Sequence, residues 1–345
     1  MKFIIDCMGG DNSPGANVEG GLMALKKYPE LHLIFSGDES LIKEELKRCG
    51  VTEGRFEILH APDVITGEDK PTDAIRLKRE SSMMKGIKLL RESPDIEGIV
   101  STGATGSLVA AATLRIGRIE GVFRPAFCPI LPTMNGGIVG VCDSGANVDC
   151  QPLQLIQFAI MASAYMEHTF GIENPRVALL NIGTESEKGD DLRKEVYAAL
   201  STLEGINFVG NMESRDLLSG KYDVVVCDGF SGNVLIKTTE GTALQLMKKI
   251  KKDIYSRTVY KIGALFMKKM FSDMKEFMNY QRYGGSVLLG TEKIIVKGHG
   301  ASDKVAVAKC IEQAVSMAGS NLNGIIAAKV QAVPDKVIAQ GVPLR

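Results

Sequence analysis

Short apolar runs rich in β-branched residues alternate along this chain with longer stretches in which apolar residues recur at helical spacing. The runs predict strands at Phe3–Asp6, Leu31–Ser36, Arg55–His60, Gly98–Ser101, Phe127–Leu131, Ile138–Asp143, Arg176–Ile182, Ile206–Val209, Asp223–Cys227 and Lys293–Val296. The periodic stretches predict helices such as Asn17–Lys27, Leu41–Cys49, Ser81–Arg91, Leu153–Tyr165 and Lys188–Leu200. Strands separated by helices of this length predict an α/β fold whose mostly parallel sheet carries helices on both faces. One stretch departs from the rhythm. Two apolar runs flank Met134-Asn135-Gly136-Gly137, an Asn-Gly turn signal that predicts a β-hairpin inside the α/β body.

The segments that follow the strands share a chemistry. "DCMGGDNSPG", "STGATGSL", "CDSGANVDCQP", "NIGTESEKGDD", "CDGFSGNV" and "KGHGASD" each set glycine beside hydroxyl, amide or charged side chains. Ligands of open α/β sheets bind at the carboxyl ends of the strands, so six such loops predict one shared cleft. "STGATGSL" opens a helical stretch but ends in no Gly-Lys-Ser/Thr and lacks the G-x-G-x-x-G spacing, so it is neither nucleotide fingerprint. Its amides and hydroxyls suit a single phosphate; a plain helix cap at Thr105 or Ser107 is the structural alternative. Asp6 and Asp11 in the first loop have no third ligand near them in sequence and read as turn caps, not a metal site. Lys188 is either a solvated first-turn residue or a neutraliser of phosphate, and Asn233 either caps the next helix or bonds an oxyanion. Of the four histidines, only His299 lies between glycines in a strand-end loop, where it suits general acid–base work; a capping histidine is the structural alternative.

Composition narrows the classes. The 345 residues carry 41 basic and 41 acidic side chains, so no global positive field points to nucleic acid. The seven cysteines are scattered without a CxxC pair, which argues against a zinc or disulfide framework and for a reducing cytoplasm. The amino-terminal apolar run is too short for a signal peptide and reads as the first strand. Charge is uneven in one place. From Lys248 to Tyr280 an apolar stripe running from Val259 to Met278 is interleaved with lysines, including Lys261, Lys268, Lys269 and Lys275. Such a segment packs on the body or a second subunit, inserts Leu265, Phe266 and Phe271 into a membrane surface, or docks an acidic partner.

The blocks "IDCMGGDNSP", "STGATGSLVAAA", "RPA" with "LPT", "DSGANVDCQPLQLIQFAIM", "NPRVALLNIGTESEKG", "DVVVCDGFSGNVLIKTTEG" and "GGSVLLG…VKGHGASD" together resemble the acyl-ACP:phosphate acyltransferases, the PlsX family, in the family's order through about Asp303. The resemblance implies a three-layer α/β/α sandwich, Rossmann-like and similar to isocitrate and isopropylmalate dehydrogenases. It implies a single domain over residues 1–345 with a protruding helical arm at 245–281, and a homodimer. It implies transfer of a long-chain acyl group from acyl carrier protein to inorganic phosphate, without cofactor or metal, at the start of phospholipid synthesis. A membrane glycerol-3-phosphate acyltransferase would consume the acyl phosphate, and the enzyme would be cytoplasmic and peripheral to the membrane.

On this reading Gly9, Gly10, Asp11, Thr102, Gly103, Thr105, Gly106 and Asn147 contact phosphate, and Lys188, Asn233 and His299 are catalytic. Lys261, Leu265, Phe266, Lys268, Lys269 and Phe271 contact membrane or carrier protein. The alternatives are a phosphate acetyltransferase using acyl-CoA, a metal- and NAD-dependent dehydrogenase, for which the aspartate and arginine sets are absent, and a non-catalytic scaffold for carrier protein and membrane.

Overall fold

The computed structural model describes residues 1–277 and 283–333. Residues 278–281 of the expected arm, Met278 and Tyr280 among them, lie outside the described residues, as do residues 334–345 of the expected single domain. The side chain of Lys275 is also outside them.

The first half runs β1 (Lys2–Asp6), α1 (Gly15–Lys27), β2 (His32–Gly37), α2 (Glu39–Arg48), β3 (Phe56–His60), α3 (Pro71–Leu77), α4 (Ser82–Glu92), β4 (Gly98–Ser101) and α5 (Thr105–Ala111), which passes into a π-helical turn at Ala112–Ile116. Then come β5 (Ala126–Cys128), β6 (Ile130–Pro132), β7 (Ile138–Cys142), α6 (Pro152–Phe170), β8 (Arg176–Asn181), α7 (Asp191–Thr202), β9 (Asn207–Glu213) and β10 (Val224–Val226). The remainder is α8 (Gly229–Ser256), α9 (Thr258–Phe266), α10 (Lys268–Phe277), β11 (Ser286–Leu289), β12 (Ile294–Lys297), α11 (Lys304–Gly319) and α12 (Leu322–Gln331).

The mostly parallel sheet is divided in two. A seven-stranded sheet has the order β3-β2-β1-β4-β12-β11-β5, and a five-stranded sheet has the order β6-β7-β10-β8-β9. The expected strand Phe127–Leu131 is broken at Pro129, which has no N–H to give a ladder. Residues before it pair with β11, and residues after it pair with β7. The chain thus changes sheet at a single proline. The expected hairpin is present: Leu131 faces Val139 across β6–β7, and Gly136 takes the positive φ of 83° its turn needs. Helix α7 begins at Asp191, capped by Asp190, so Lys188 precedes the helix instead of opening it.

Helices cover both faces. A continuous apolar core runs along one side of both sheets, where α6 buries Leu155, Phe158 and Met161 and meets α11 and α12. On the opposite side α4 and α5 cover the first sheet, and Leu235 and Ile236 of α8 cover the second. The layers are therefore α/β/α throughout. Helix α8 is 28 residues long, about 42 Å at 1.5 Å per residue, yet only Gly229, Gly232, Leu235 and Ile236 are buried. Its outer turns leave the body and carry α9 and α10. No residue of α9 is buried, and Phe266 is 88% exposed. The α9 part of the stripe therefore does not pack on the body. No described helix is long and apolar enough to cross a membrane.

β12 enters the first sheet between β4 and β11, with Ile294 opposite Gly98 and Lys297 opposite Ser101. A Cβ at Gly98 would stand 2.3 Å from the Ile294 carbonyl oxygen. Gly98→Ala is expected to lower stability by about 1–3 kcal/mol through this clash, whereas Gly67→Ala, with nothing within 4 Å of its Cβ, is expected to be neutral. Thermal unfolding of the two variants checks this; equal melting temperatures would contradict it.

Candidate active site

A cleft of about 700 Å³ opens where the two sheets meet at their strand ends. The first sheet contributes Thr105 and Gly106 of α5 and Lys297–Gly300 after β12; the second contributes Ser144–Ala146 after β7 and Asn233, Ile236, Lys237 and Glu240 of α8. Phe127, Ile130 and Leu131, on either side of the sheet change, line it together with Val109 and Leu114. The lining thus combines polar and apolar side chains. Four of the six glycine-rich loops thus line one cleft.

The loop after β1 braces this cleft from behind. Asp6 is buried and accepts hydrogen bonds from Ser82 and Ser101, each at 2.6 Å, which ties β1 to α4 and β4. Burial pushes its carboxyl up, against the pull of those two hydroxyls. Thr102 is buried too; its hydroxyl donates to the Gly9 carbonyl. The Gly103 amide donates to Ser101 Oγ at 3.1 Å. The Asp11 amide donates to the Gly300 carbonyl at 2.8 Å, and Asn12 Nδ2 donates to the Ser302 carbonyl at 3.1 Å. A Cβ at Gly9 would lie 2.5 Å from the Gly103 nitrogen, so the β1 and β4 loops touch backbone to backbone. Gly9, Gly10, Asp11, Thr102 and Gly103 are therefore knit to one another, and none of them is among the residues lining the cleft.

The first turn of α5 is different. Its N-cap residue is Ala104, which offers no side-chain cap. The capping alternative at Thr105 or Ser107 is not what the structure has. Ser107 is buried, and its Oγ has no hydrogen-bond partner within the described protein. Thr105 and Gly106 face the cleft from this uncapped turn, and an uncapped helix start presents N–H groups and the positive end of the helix dipole.

On the second sheet Asp143 organises the loop after β7. It is buried, and its carboxylate accepts from the amides of Phe127, Gly145, Ala146 and Asn147 and from Asn147 Nδ2. Burial pushes this carboxyl up, while the ring of N–H donors works against that. Asn147 also donates to the Pro125 carbonyl at 2.8 Å, so its amide is committed to the loop and does not line the cleft. Asp228 caps α8 by accepting from the Ser231 amide at 2.8 Å, and Arg193 of α7 pairs with it. Asn233 is therefore not the cap; it stands one turn further on and lines the cleft.

His299 lines the cleft and is solvent-exposed. Its Nδ1 accepts from the Ala301 amide at 3.1 Å. Desolvation, then the nearby Lys237 charge, holds its pKa below the usual imidazole value. A neutral ring that accepts at Nδ1 carries its proton on Nε2, so at neutral pH His299 is a hydrogen-bond donor through Nε2. The sequence reading does not single out Lys297 or Arg124, yet both line the cleft. Lys297 ends the buried run Ile294-Ile295-Val296, and a lysine closing a central parallel strand was the available signal. Lys188 is exposed in the β8–α7 loop, on the same strand-end side as the cleft but outside its lining. Lys261, Leu265, Phe266, Lys268, Lys269 and Phe271 lie far along the chain on α9 and α10, all but Phe271 exposed. No cysteine lines the cleft; Cys150, further along the β7 loop, has its thiol pushed up to about 12, chiefly by burial. Among the described residues no group of three His, Cys, Asp or Glu is placed to hold a metal ion.

Comparison with known proteins places this geometry. Residues 1–324 match the family described as "Fatty acid synthesis protein". The phosphate acyltransferase of Clostridioides difficile (strain 630) is 42% identical over 315 residues, covering 91% of this chain and 92% of that one. The phosphate acyltransferase of Clostridium acetobutylicum is 45% identical over 316 residues, covering 92% and 95%. Among solved structures, a phosphotransacetylase from Streptococcus pyogenes superposes with a TM-score of 0.61 at 16% identity, covering 92% of this chain and 94% of that one. A branched-chain phosphotransacylase from Enterococcus faecalis V583 gives 0.58 at 16% identity, covering 92% and 98%. These two likenesses speak for the fold alone. The sequence matches, each spanning more than nine-tenths of both chains compared, carry the identity: this protein is a transferase and belongs to the phosphate acyltransferase family.

Proposed function

We propose that the protein transfers a long-chain acyl group from the thioester of acyl carrier protein to inorganic phosphate, in the cleft between its two sheets. The observation that carries this reading is that one cleft, lined from both sheets, brings together polar groups and apolar side chains. The polar groups include the uncapped turn at Thr105–Gly106, Asn233 and His299; the apolar ones are Val109, Leu114, Phe127, Ile130, Leu131 and Ile236. The first suit phosphate and the second an acyl chain, with the thioester carbonyl between them.

The chemistry follows from few parts. A phosphate oxygen has its lone pairs available and needs positioning more than deprotonation. It attacks the thioester carbonyl carbon, the C–O bond forms, and the carbonyl electrons move onto oxygen. Asn233 and the His299 Nε2–H donate to the charge that develops there. The C–S bond then breaks and the thiolate of the carrier leaves; a thiol pKa of about 8.5 makes it a competent leaving group, and it takes a proton from solvent or through His299. Acyl phosphate remains. Lys188, exposed on the strand-end side, offsets the charge of the arriving phosphate. Gly9, Gly10, Asp11, Thr102, Gly103 and Asn147 serve the phosphate by fixing the loops. Direct displacement is favoured over an acyl-cysteine because no cysteine lines the cleft.

The arm supports the rest of the reading. Leu265 is 72% and Phe266 88% exposed beside Lys261, Lys268 and Lys269. An apolar tip ringed by cations suits an anionic lipid surface and an acidic carrier protein. We assign the protein to the cytoplasmic side of the membrane, as a homodimer, handing acyl phosphate to a membrane glycerol-3-phosphate acyltransferase in phospholipid synthesis.

Purified protein mixed with palmitoyl-ACP is expected to release free carrier and form acyl phosphate only when phosphate is added. Turnover of acetyl-CoA in preference would favour the acetyltransferase alternative, and no turnover with carrier still bound would favour the scaffold. Asn233→Ala is expected to lower kcat by roughly 10²–10³-fold with an unchanged melting temperature, since Asn233 is exposed; near-normal kcat would remove it from the mechanism. Leu265→Glu with Phe266→Glu is expected to abolish cosedimentation with anionic vesicles while soluble-assay activity is kept. Unchanged vesicle binding would contradict the role of the arm.

A further inference from the structure

Among the described residues, Lys297 is the one lysine or arginine in the buried class, 9% exposed. Its Nζ donates to the Thr102 carbonyl at 3.3 Å and to the Gly298 carbonyl, and no described carboxylate is ion-paired with it. Asp6 of β1 is spent on Ser82 and Ser101. Asp11 follows β1, Cys310 of α11 lies below, His299 follows in the same loop, and Lys237 and Glu240 of α8 face it across the cleft. A buried ammonium held only by neutral carbonyls is costly unless an anion completes it. The cleft it lines is where that anion can enter.

We propose that Lys297 is the cationic anchor of the phosphate subsite, a buried ammonium whose counter-ion is the phosphate that accepts the acyl group. This rests on the reading of the cleft given above and extends it to a residue that the loop motifs do not mark. The two carbonyls come from the β4 loop and the β12 loop, and Lys297 lines the same cleft as Thr105 and Gly106 of the uncapped turn of α5, which begins three residues after Thr102. Phosphate bound there would meet helix N–H groups on one side and the ammonium on the other.

The arrangement has a protonic signature. Burial lowers the Lys297 pKa to about 8 in the empty cleft. A bound dianion favours the charged form and raises that value. At about pH 8.5, where the lysine is mostly neutral without phosphate, binding must therefore take up most of a proton; at pH 7 the lysine is already charged and contributes almost no uptake. His299, held below the usual imidazole value, starts from the neutral form at both pH values.

The test is isothermal titration of inorganic phosphate into the full-length protein, in two buffers of different ionisation enthalpy at each pH. Wild type is expected to take up most of a proton, roughly 0.7, at about pH 8.5. Lys297→Arg is expected to bind phosphate with no uptake, because arginine stays charged. Lys297→Met is expected to weaken phosphate binding roughly ten- to hundredfold at pH 7 while its melting temperature stays within a few degrees. Wild-type binding without proton uptake at the higher pH overturns the proposal and leaves the phosphate-acceptor reading standing, as does undiminished binding by a folded Lys297→Met. Should that variant not fold, the wild-type and arginine titrations decide alone. Failure of wild type to bind phosphate, together with no phosphate-dependent turnover, overturns both.

Discussion

The parallel pairing of β12 with β4 is the contact on which the site depends. It joins residues 294–297 to residues 98–101 across most of the chain, with Ile294 on Gly98 and Lys297 on Ser101. Without it the loop that carries His299 would not lie beside the turn that carries Thr105 and Gly106. The closure requires glycine at 98, since any side chain there meets the Ile294 backbone. Further ties follow from the same closure: the Gly298 amide donates to Ser101, and the Gly300 carbonyl receives Asp11. Long-range pairing is entropically expensive to close; here the return is the juxtaposition of two loops that line the cleft.

Most of the architecture was legible in hydrophobic patterning because its strands are buried on both faces and read as continuous apolar runs. β1, β2, β4 and β7 fall close to where those runs predict them. The division into two sheets was not legible. Pro129 interrupts an otherwise apolar run, and nothing local says that the halves pair with different partners, because partnering is a tertiary fact. β11 was missed as a strand for a related reason: Ser286–Leu289 is short and follows the arm, where helical periodicity dominates.

The site was legible as loops and less so as atoms. The glycine-rich segments marked the correct strand ends, but glycine content does not distinguish a residue that faces a ligand from one that holds the loop. Thr102 and Asn147 look like ligands in sequence and spend their side chains on the Gly9 and Pro125 carbonyls. Lys297 looks like an ordinary strand-end lysine and is buried in the cleft. Burial, which sequence reports poorly for a single polar residue, decides both cases. The arm is the reverse case. Its apolar stripe was plain, and what sequence could not say was that the body leaves it uncovered. An exposed apolar tip this far from the core is tolerated in a protein only where something else covers it in use.

The central claim is that phosphate sits between the two sheets, against α5. A crystal structure of the protein soaked with inorganic phosphate tests it most directly. The account predicts one phosphate within hydrogen-bonding distance of the Gly106 amide, with Asn233 and His299 around it. Phosphate bound instead outside this cleft, for example in the neighbouring pocket lined by Arg118 and Gln154, with the α5 turn unoccupied, would contradict it.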